Sequence, residues 1–380
     1  MQNVVVTFGT RPEAIKMASV VGALRRRPED FRTRVCVTGQ HREMLDQVLA
    51  RFELEPDVDL DLMRPGQTPA QVTARVLEAM TTTLRDEQAD LVVVQGDTTT
   101  AMATALAAFY LEIPVAHVEA GLRSGRLDAP FPEEMNRIVI DSFAQWVFPP
   151  TADAAENLTR EGIPTERALI TGNTAIDALL DLRSRLGEFD LPVREQLADA
   201  GRVVLVTAHR RESFGEPLRR VFSALQQVAA AHPDVTFVYP VHPNPQVLAP
   251  AHELLTAPNI RLMPPVDYAE LVWLLDRAEL VLTDSGGLQE EAPTLGTPLL
   301  VLRDVTERPA FLAAGAGLLV GTDPERIVTE TARLLTDAAA HAAMGRPRML
   351  YGDGHAGTRI AAALAGDPVT HFAPPPEALS

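Results

Sequence analysis

Three acidic residues stand where a strand-like run ends or a helix begins. Asp97 follows Leu91–Gln95, Glu119 closes Val115–Glu119, and Glu133 comes just after Pro132. Each has an ordinary reading. Asp97 suits a turn with a following threonine as helix cap, and Glu133 beside Glu134 complements a helix dipole. Three carboxylates converging on one crevice are also the set that proton-transfer chemistry requires.

A second chemistry-bearing stretch is Glu279–Glu291, ELVLTDSGGLQEE. The run Glu279–Thr283 predicts a short buried parallel strand. Gly287–Leu295 predicts a helix with Ser285 as N-cap. The first N–H groups of a helix lack intrahelical partners, and Ser285, Gly286 and Gly287 let a phosphate reach them. Turns of this composition also serve merely to bend the chain. Glu291, one turn in, would repel a diphosphate and suits ribose hydroxyls. The ligand this stretch suggests is a nucleoside diphosphate.

Basic and polar residues recur after other strand-like runs. Arg11 and Lys16 follow Val4–Phe8, with Pro12 at the first helical position. Both can reach a phosphate, or both are solvated surface cations. The surrounding GTRPEAIK is not G-x-G-x-x-G, so a dinucleotide is not indicated. His209 follows Val203–Thr207 and is trailed by Arg210 and Arg211, a place for a phosphate or a leaving group. Gln40-His41-Arg42 either lines a cleft or caps a helix. His242 sits in the rigid turn PVHPNP. Arg308 follows Leu299–Leu302, within reach of a sugar or a diphosphate.

These residues need elements to hold them. Strand-like runs alternate with amphipathic segments from Val4 to Phe148, break around Leu186–Pro192, and resume from Val203 to Val320. Such alternation predicts doubly wound parallel sheets, and the restart predicts two of them. In open parallel sheets ligands bind outside the carboxyl ends of the strands, where the residues above lie.

Composition sets the outer bounds. At 380 residues the chain suits two domains. A net charge of −17 disfavours nucleic acid and anionic membrane as partners. Cys36 is the only cysteine, inside an apolar run, and reads as a buried structural thiol. There is no basic, apolar leader at Met1–Phe8 and no membrane-length apolar run, so a cytoplasmic location is expected. No metal-ligand spacing occurs.

Taken together, the stretches resemble the non-hydrolysing UDP-N-acetylglucosamine 2-epimerases. GTRPEAIKM at Gly9, QGDTTT at Gln95, HVEAGLRS at His117, FPEEMNR at Phe131, TAHRRESFGEP at Thr207, PVHPNP at Pro240, DSGGLQEEAPTLGTP at Asp284 and RDVTERP at Arg303 follow the family's order. The resemblance implies a GT-B fold, two Rossmann-like domains facing across a cleft. Residues 1–171, joined by a C-terminal helix over about 355–380, would form the first and residues 172–354 the UDP-binding second. It also implies a homodimer, and a reaction without cofactor or metal. In that reaction UDP leaves C1 as a base removes the C2 proton, and UDP then re-adds to the 2-acetamidoglucal. The family's acid–base carboxylates match Asp97, Glu119 and Glu133. His209 would neutralise the departing UDP, with Arg11 and Lys16 near the phosphates. Ser285, Gly286 and Gly287 would hold the diphosphate, Glu291 the ribose, and Arg308 the phosphate or sugar.

Some members bind a second UDP-N-acetylglucosamine as an activator, and Gln40, His41, Arg210 and His242 match that site. The chain departs from the family at Gly66, where some regulated members carry an arginine, and at Ala310, commonly an acid. The alternatives are an epimerase of a diacetamido UDP-sugar, a hydrolysing 2-epimerase, and a UDP-sugar sensor without catalysis. Against the sensor, all three carboxylates are present.

Overall fold

The computed structural model describes residues 1–39, 42–64 and 66–379. Two compact units divide the chain. The first comprises Met1–Leu180 with Tyr351–Ala373, and the second comprises Asp181–Leu350 with the residues from Pro374 onward.

In the first unit six strands form one parallel sheet: β1 (Gln2–Phe8), β2 (Phe31–Val37), β3 (Val58–Asp59), β4 (Leu91–Gln95), β5 (Val115–Val118) and β6 (Trp146–Phe148). Their order is β3-β2-β1-β4-β5-β6. The central strands are continuous apolar runs because helices cover both faces, and Val4, Val5, Val6, Val92, Val93 and Val94 are fully buried. Val5 pairs with Arg34 on one side and Val92 on the other, so β1 lies between β2 and β4.

The second unit repeats the plan with β7 (Arg202–Thr207), β8 (Val235–Pro240), β9 (Ile260–Met263), β10 (Leu280–Thr283), β11 (Leu299–Val301) and β12 (Gly317–Leu319). Its order is β12-β11-β10-β7-β8-β9, with Val281 of β10 against Leu205 of β7 and Leu299 of β11. Each sheet thus has the same strand order, and each reverses between its first and fourth strands. That reversal opens a crevice at the carboxyl ends of β1 and β4, and again at those of β7 and β10.

The chain passes between units within the helix Thr174–Arg185 and returns at Tyr351. The helix Ala356–Leu364 then lies along Arg11–Arg25, the helix that follows β1. Asp177 anchors its start, accepting from the amides of Ala356 at 3.1 Å and Gly357 at 2.8 Å.

Four local readings change. The two-residue β3 is too short to show a period in sequence. β5 ends at Val118, and Glu119 sits beyond it with φ of +64°. Arg11, not Pro12, is the first helical residue, capped by Thr10 in a capping box with Glu13. The helix after β10 spans Leu288–Leu295 with Gly287 at its cap and no side-chain cap. Ser285 is not the N-cap, because its amide donates to Thr283 Oγ1 at 2.9 Å and its carbonyl accepts from Gln289 Nε2 at 3.1 Å. Among the described residues no helix is long and apolar enough to cross a membrane.

Candidate active site

In the first unit the residues around the strand reversal form one connected set. Glu13, buried by its capping role, accepts from Gly9 N, Thr10 N and Thr10 Oγ1, and at 2.7 Å from Thr98 Oγ1. Burial raises its carboxyl above the usual range, and those four donors oppose the shift. Thr98 also caps the helix Thr99–Tyr110, so the turns after β1 and β4 share a hydrogen-bond network.

Glu119 is only 7% exposed and pairs with Lys16 Nζ at 2.5 Å, while Gln95 Nε2 donates to the same oxygen. That left-handed φ is uncommon for a residue with a side chain and marks stored backbone strain. Asp97 accepts from Arg137 Nη2 at 2.7 Å and Nε at 2.8 Å, and Asn136 Nδ2 donates to its carbonyl at 2.8 Å. Both donors come from the helix Glu133–Phe143, whose first residue is Glu133. Glu133 Oε2 is buried and has no hydrogen-bond partner. Asp97, Glu119 and Glu133 therefore sit on adjacent elements, two in ion pairs and one with an uncommitted oxygen. Arg11 occupies the start of its helix, half-buried.

In the second unit the reversal brings β7 and β10 together. Asp284, 1% exposed, accepts from the amides of His209 at 2.6 Å and Arg210 at 2.7 Å, and its other oxygen lies 3.7 Å from His209 Nδ1. The His209 and His242 rings stack with centroids 5.6 Å apart. Gly286 lies under two guanidinium groups. A β-carbon there would come within 3.0 Å of Arg308 Nη1 and 3.1 Å of Arg210 Nη2. Arg308 is oriented by Glu290, 2.5 Å from its Nε. Glu291 accepts from the hydroxyl of Tyr268 at 2.8 Å, and burial with nearby Glu291 and Glu290 raises that phenol far above its usual range.

Lys16 thus keeps company that its sequence position did not suggest. Lys16, assigned to phosphate by resemblance, is bonded to a carboxylate. Arg210, assigned to the second site, is beside the glycine turn with Arg308. Gln40 and His41 lie outside the described residues. Residues passed over in sequence include Glu13, Asn136, Arg137, Tyr268, Asp284 and Glu290. Thr10-x-x-Glu13 was readable as a capping box, and Arg137 falls one turn after Glu133 on the same helix face. Nothing local pointed to Tyr268. Among the described residues no group of three His, Cys, Asp or Glu could hold a metal ion.

Two doubly wound units, each with polar residues gathered at its strand reversal, place the chain in the Rossmann-like α/β class. Comparison narrows the class. The family model described as UDP-N-acetylglucosamine 2-epimerase matches residues 22–365. The UDP-N-acetylglucosamine 2-epimerase of Salmonella typhimurium is 50% identical over 370 residues, 95% of this chain and 98% of that one. A crystal structure of the Neisseria meningitidis UDP-GlcNAc 2-epimerase bound to UDP-GlcNAc superposes with a TM-score of 0.88 at 42% identity, covering 96% of this chain and all of that one. The Methanocaldococcus jannaschii enzyme in complex with UDP-GlcNAc and UDP gives 0.79 at 32% identity, covering 96% and 99%. The chain belongs to the UDP-N-acetylglucosamine 2-epimerase family, a family of isomerases.

Proposed function

We propose that the chain interconverts UDP-N-acetylglucosamine and UDP-N-acetylmannosamine by eliminating and re-adding UDP. A carboxylate takes the proton from C2 while the C1–O bond to UDP breaks, and the C–H electron pair becomes the C1–C2 double bond of 2-acetamidoglucal. A proton then returns to the opposite face of C2 as a UDP oxygen re-forms its bond to C1. Nothing is oxidised or reduced overall. One observation carries this reading: Asp97, Glu119 and Glu133 occupy neighbouring elements, and Glu133 Oε2 is left for a ligand. Removing a proton from one face and returning one to the other needs more than one such group.

The second unit supports the nucleotide part. Arg308 and Arg210 beside Gly286 supply charge for a diphosphate, and His209 neutralises the departing UDP. Ser285, Gly286 and Gly287 form the turn that the phosphates approach, and Glu291 takes the ribose hydroxyls. Arg11, a cation at the start of the helix after β1, is a further candidate for a phosphate. His242 and Arg210 are candidates for a second UDP-sugar site. The position of Arg210 beside Gly286 favours the diphosphate turn for that residue. The chain is expected to work in the cytoplasm as a homodimer. Exposed Phe109 and Tyr110, with Phe143 tilted against Phe109 at 5.0 Å, offer an aromatic patch for the partner. Light scattering at micromolar concentration tests the dimer, and a monomer mass would remove it.

The deciding experiment is proton NMR of the protein with UDP-N-acetylglucosamine in D₂O. UDP-N-acetylmannosamine carrying deuterium at C2 is the expected product. Free N-acetylmannosamine with UDP would move the chain to the hydrolysing reaction. No turnover with intact UDP binding would point to a diacetamido substrate or to a sensor.

A further inference from the structure

His117 on β5 is fully buried, and its ring hydrogen bonds go to groups other than the three carboxylates assigned above to proton transfer. Its Nε2 lies 2.7 Å from the carbonyl of Gly96, and its Nδ1 lies 2.6 Å from Asp141 Oδ1. A carbonyl only accepts, so Nε2 donates. Asp141 is an acceptor as well. Its second oxygen takes a bond from Gly121 N at 3.2 Å and another from Arg123 Nη2 at 2.7 Å. Burial alone would raise the Asp141 carboxyl, but His117 and Arg123 outweigh it and hold the group below its usual range. The ring thus spans Gly96 on one side and Asp141 on the other.

Three of the anchored residues bracket the candidate carboxylates. Gly96 immediately precedes Asp97, while His117 and Gly121 each stand two residues from Glu119. Gly96, Glu119 and Gly121 all have φ between +64° and +78°; the glycines adopt it freely, whereas Glu119 holds it only because its surroundings dictate it. Asp141 belongs to the same helix, Glu133–Phe143, that supplies Asn136 and Arg137 to Asp97.

We propose that His117 and Asp141 are positioning residues for this reaction: a buried clasp, donating to Gly96 and accepting from Gly121, that fixes Asp97 and Glu119 relative to the helix carrying Glu133. The inference rests on the epimerase reading. A displacement of about 1 Å at the reacting groups is enough to cost about 10²-fold in rate.

The test divides the two nitrogens of the ring. His117→Gln keeps an amide N–H near the Nε2 position, facing Gly96. His117→Asn keeps one near Nδ1, facing Asp141. Turnover number should fall about 10²-fold in His117→Asn and no more than about tenfold in His117→Gln. The UDP dissociation constant from calorimetry should stay within about twofold in both. Equal losses in the two variants, tracking lost thermal stability, would make His117 a core residue only. So would unchanged turnover. Wild-type protein with ¹⁵N-labelled histidine provides a readout that does not depend on the variants folding. His117 should show a slowly exchanging Nε2–H signal, and an unprotonated Nε2 would overturn the clasp. Wild-type turnover measured alongside separates the readings, since an inert wild type with the Nε2–H signal present would sink the substrate assignment and not the clasp.

Discussion

The ammonium of Lys16 lies 2.5 Å from Glu119 Oε2 and 2.8 Å from Oε1, joining the helix after β1 to the turn after β5 across 103 residues of sequence. The lysine is 23% exposed and its partner 7%, so the pair is shielded, and Gln95 Nε2 donates to the same carboxylate. Lys16→Met should lower turnover by about 10²-fold or more, because Glu119 loses the cation that orients it. UDP affinity should change less than about threefold. A loss confined to UDP affinity would return Lys16 to the phosphates.

Gly286 is the point where a single methyl group tests the diphosphate turn. The new carbon of Gly286→Ala would press on Arg308 Nη1 at 3.0 Å and Arg210 Nη2 at 3.1 Å. Both are ends of flexible side chains, so the fold should survive while the arginines shift. We expect UDP binding to weaken about tenfold, or about 1.4 kcal/mol, by calorimetry. Unchanged affinity would mean that the two guanidinium groups do not hold the nucleotide.

Glu291 and Tyr268 form a second measurable pair, 2.8 Å apart. Glu291→Ala should weaken UDP binding far more than Glu188→Ala, a change at a carboxylate that is 62% exposed. Tyr268→Phe removes only the donor that orients Glu291 and should cost about tenfold in affinity, in keeping with a hydrogen bond to a charged group. Equal affinities for the Glu291 and Glu188 variants would take Glu291 away from the ribose.

Asp141 gives stability a pH dependence with a definite sign. Its carboxyl is depressed in the folded protein, so between the depressed value and the ordinary aspartate value of about 3.9 the unfolded chain binds a proton that the native state does not. The contribution is complete above that ordinary value and is lost as pH falls through the folded one. Melting curves of wild type and Asp141→Asn should differ most near neutrality and draw together below about pH 4. A gap that stays constant down to pH 3 would show that the folded protein does not hold this carboxyl ionised.

Much of the molecule was legible without coordinates. The strand-like run Leu91–Gln95 coincides with β4 residue for residue and Glu279–Thr283 overruns β10 by one residue, because a strand buried on both faces is an unbroken apolar run with turn residues at its end. Alternation of strand and helix then dictated two parallel sheets, and that rule drew attention to Asp97, Glu119, His209 and Ser285 beforehand. Local chemistry was partly readable as well, as with Thr98 capping the helix after β4. Helix starts were less secure. Ser285 has the right side chain for an N-cap, yet its amide is taken by Thr283 and the helix opens at Leu288.

What the sequence by itself determined was every strand but the two-residue β3, their parallel arrangement and the carboxyl-end residues from which a site could be drawn. These follow from side-chain period and turn chemistry, which act over a few residues. Only the tertiary structure decided the pairings: Lys16 with Glu119, Arg137 with Asp97, Asp284 with the amides of His209 and Arg210, and His117 between Gly96 and Asp141. Each joins segments that are distant in the chain and adjacent only because the sheet order reverses beside β1 and β7 or because a helix folds back over its strands. An ion pair or a buried hydrogen bond depends on a separation of about 3 Å, and no local pattern of residues encodes that distance.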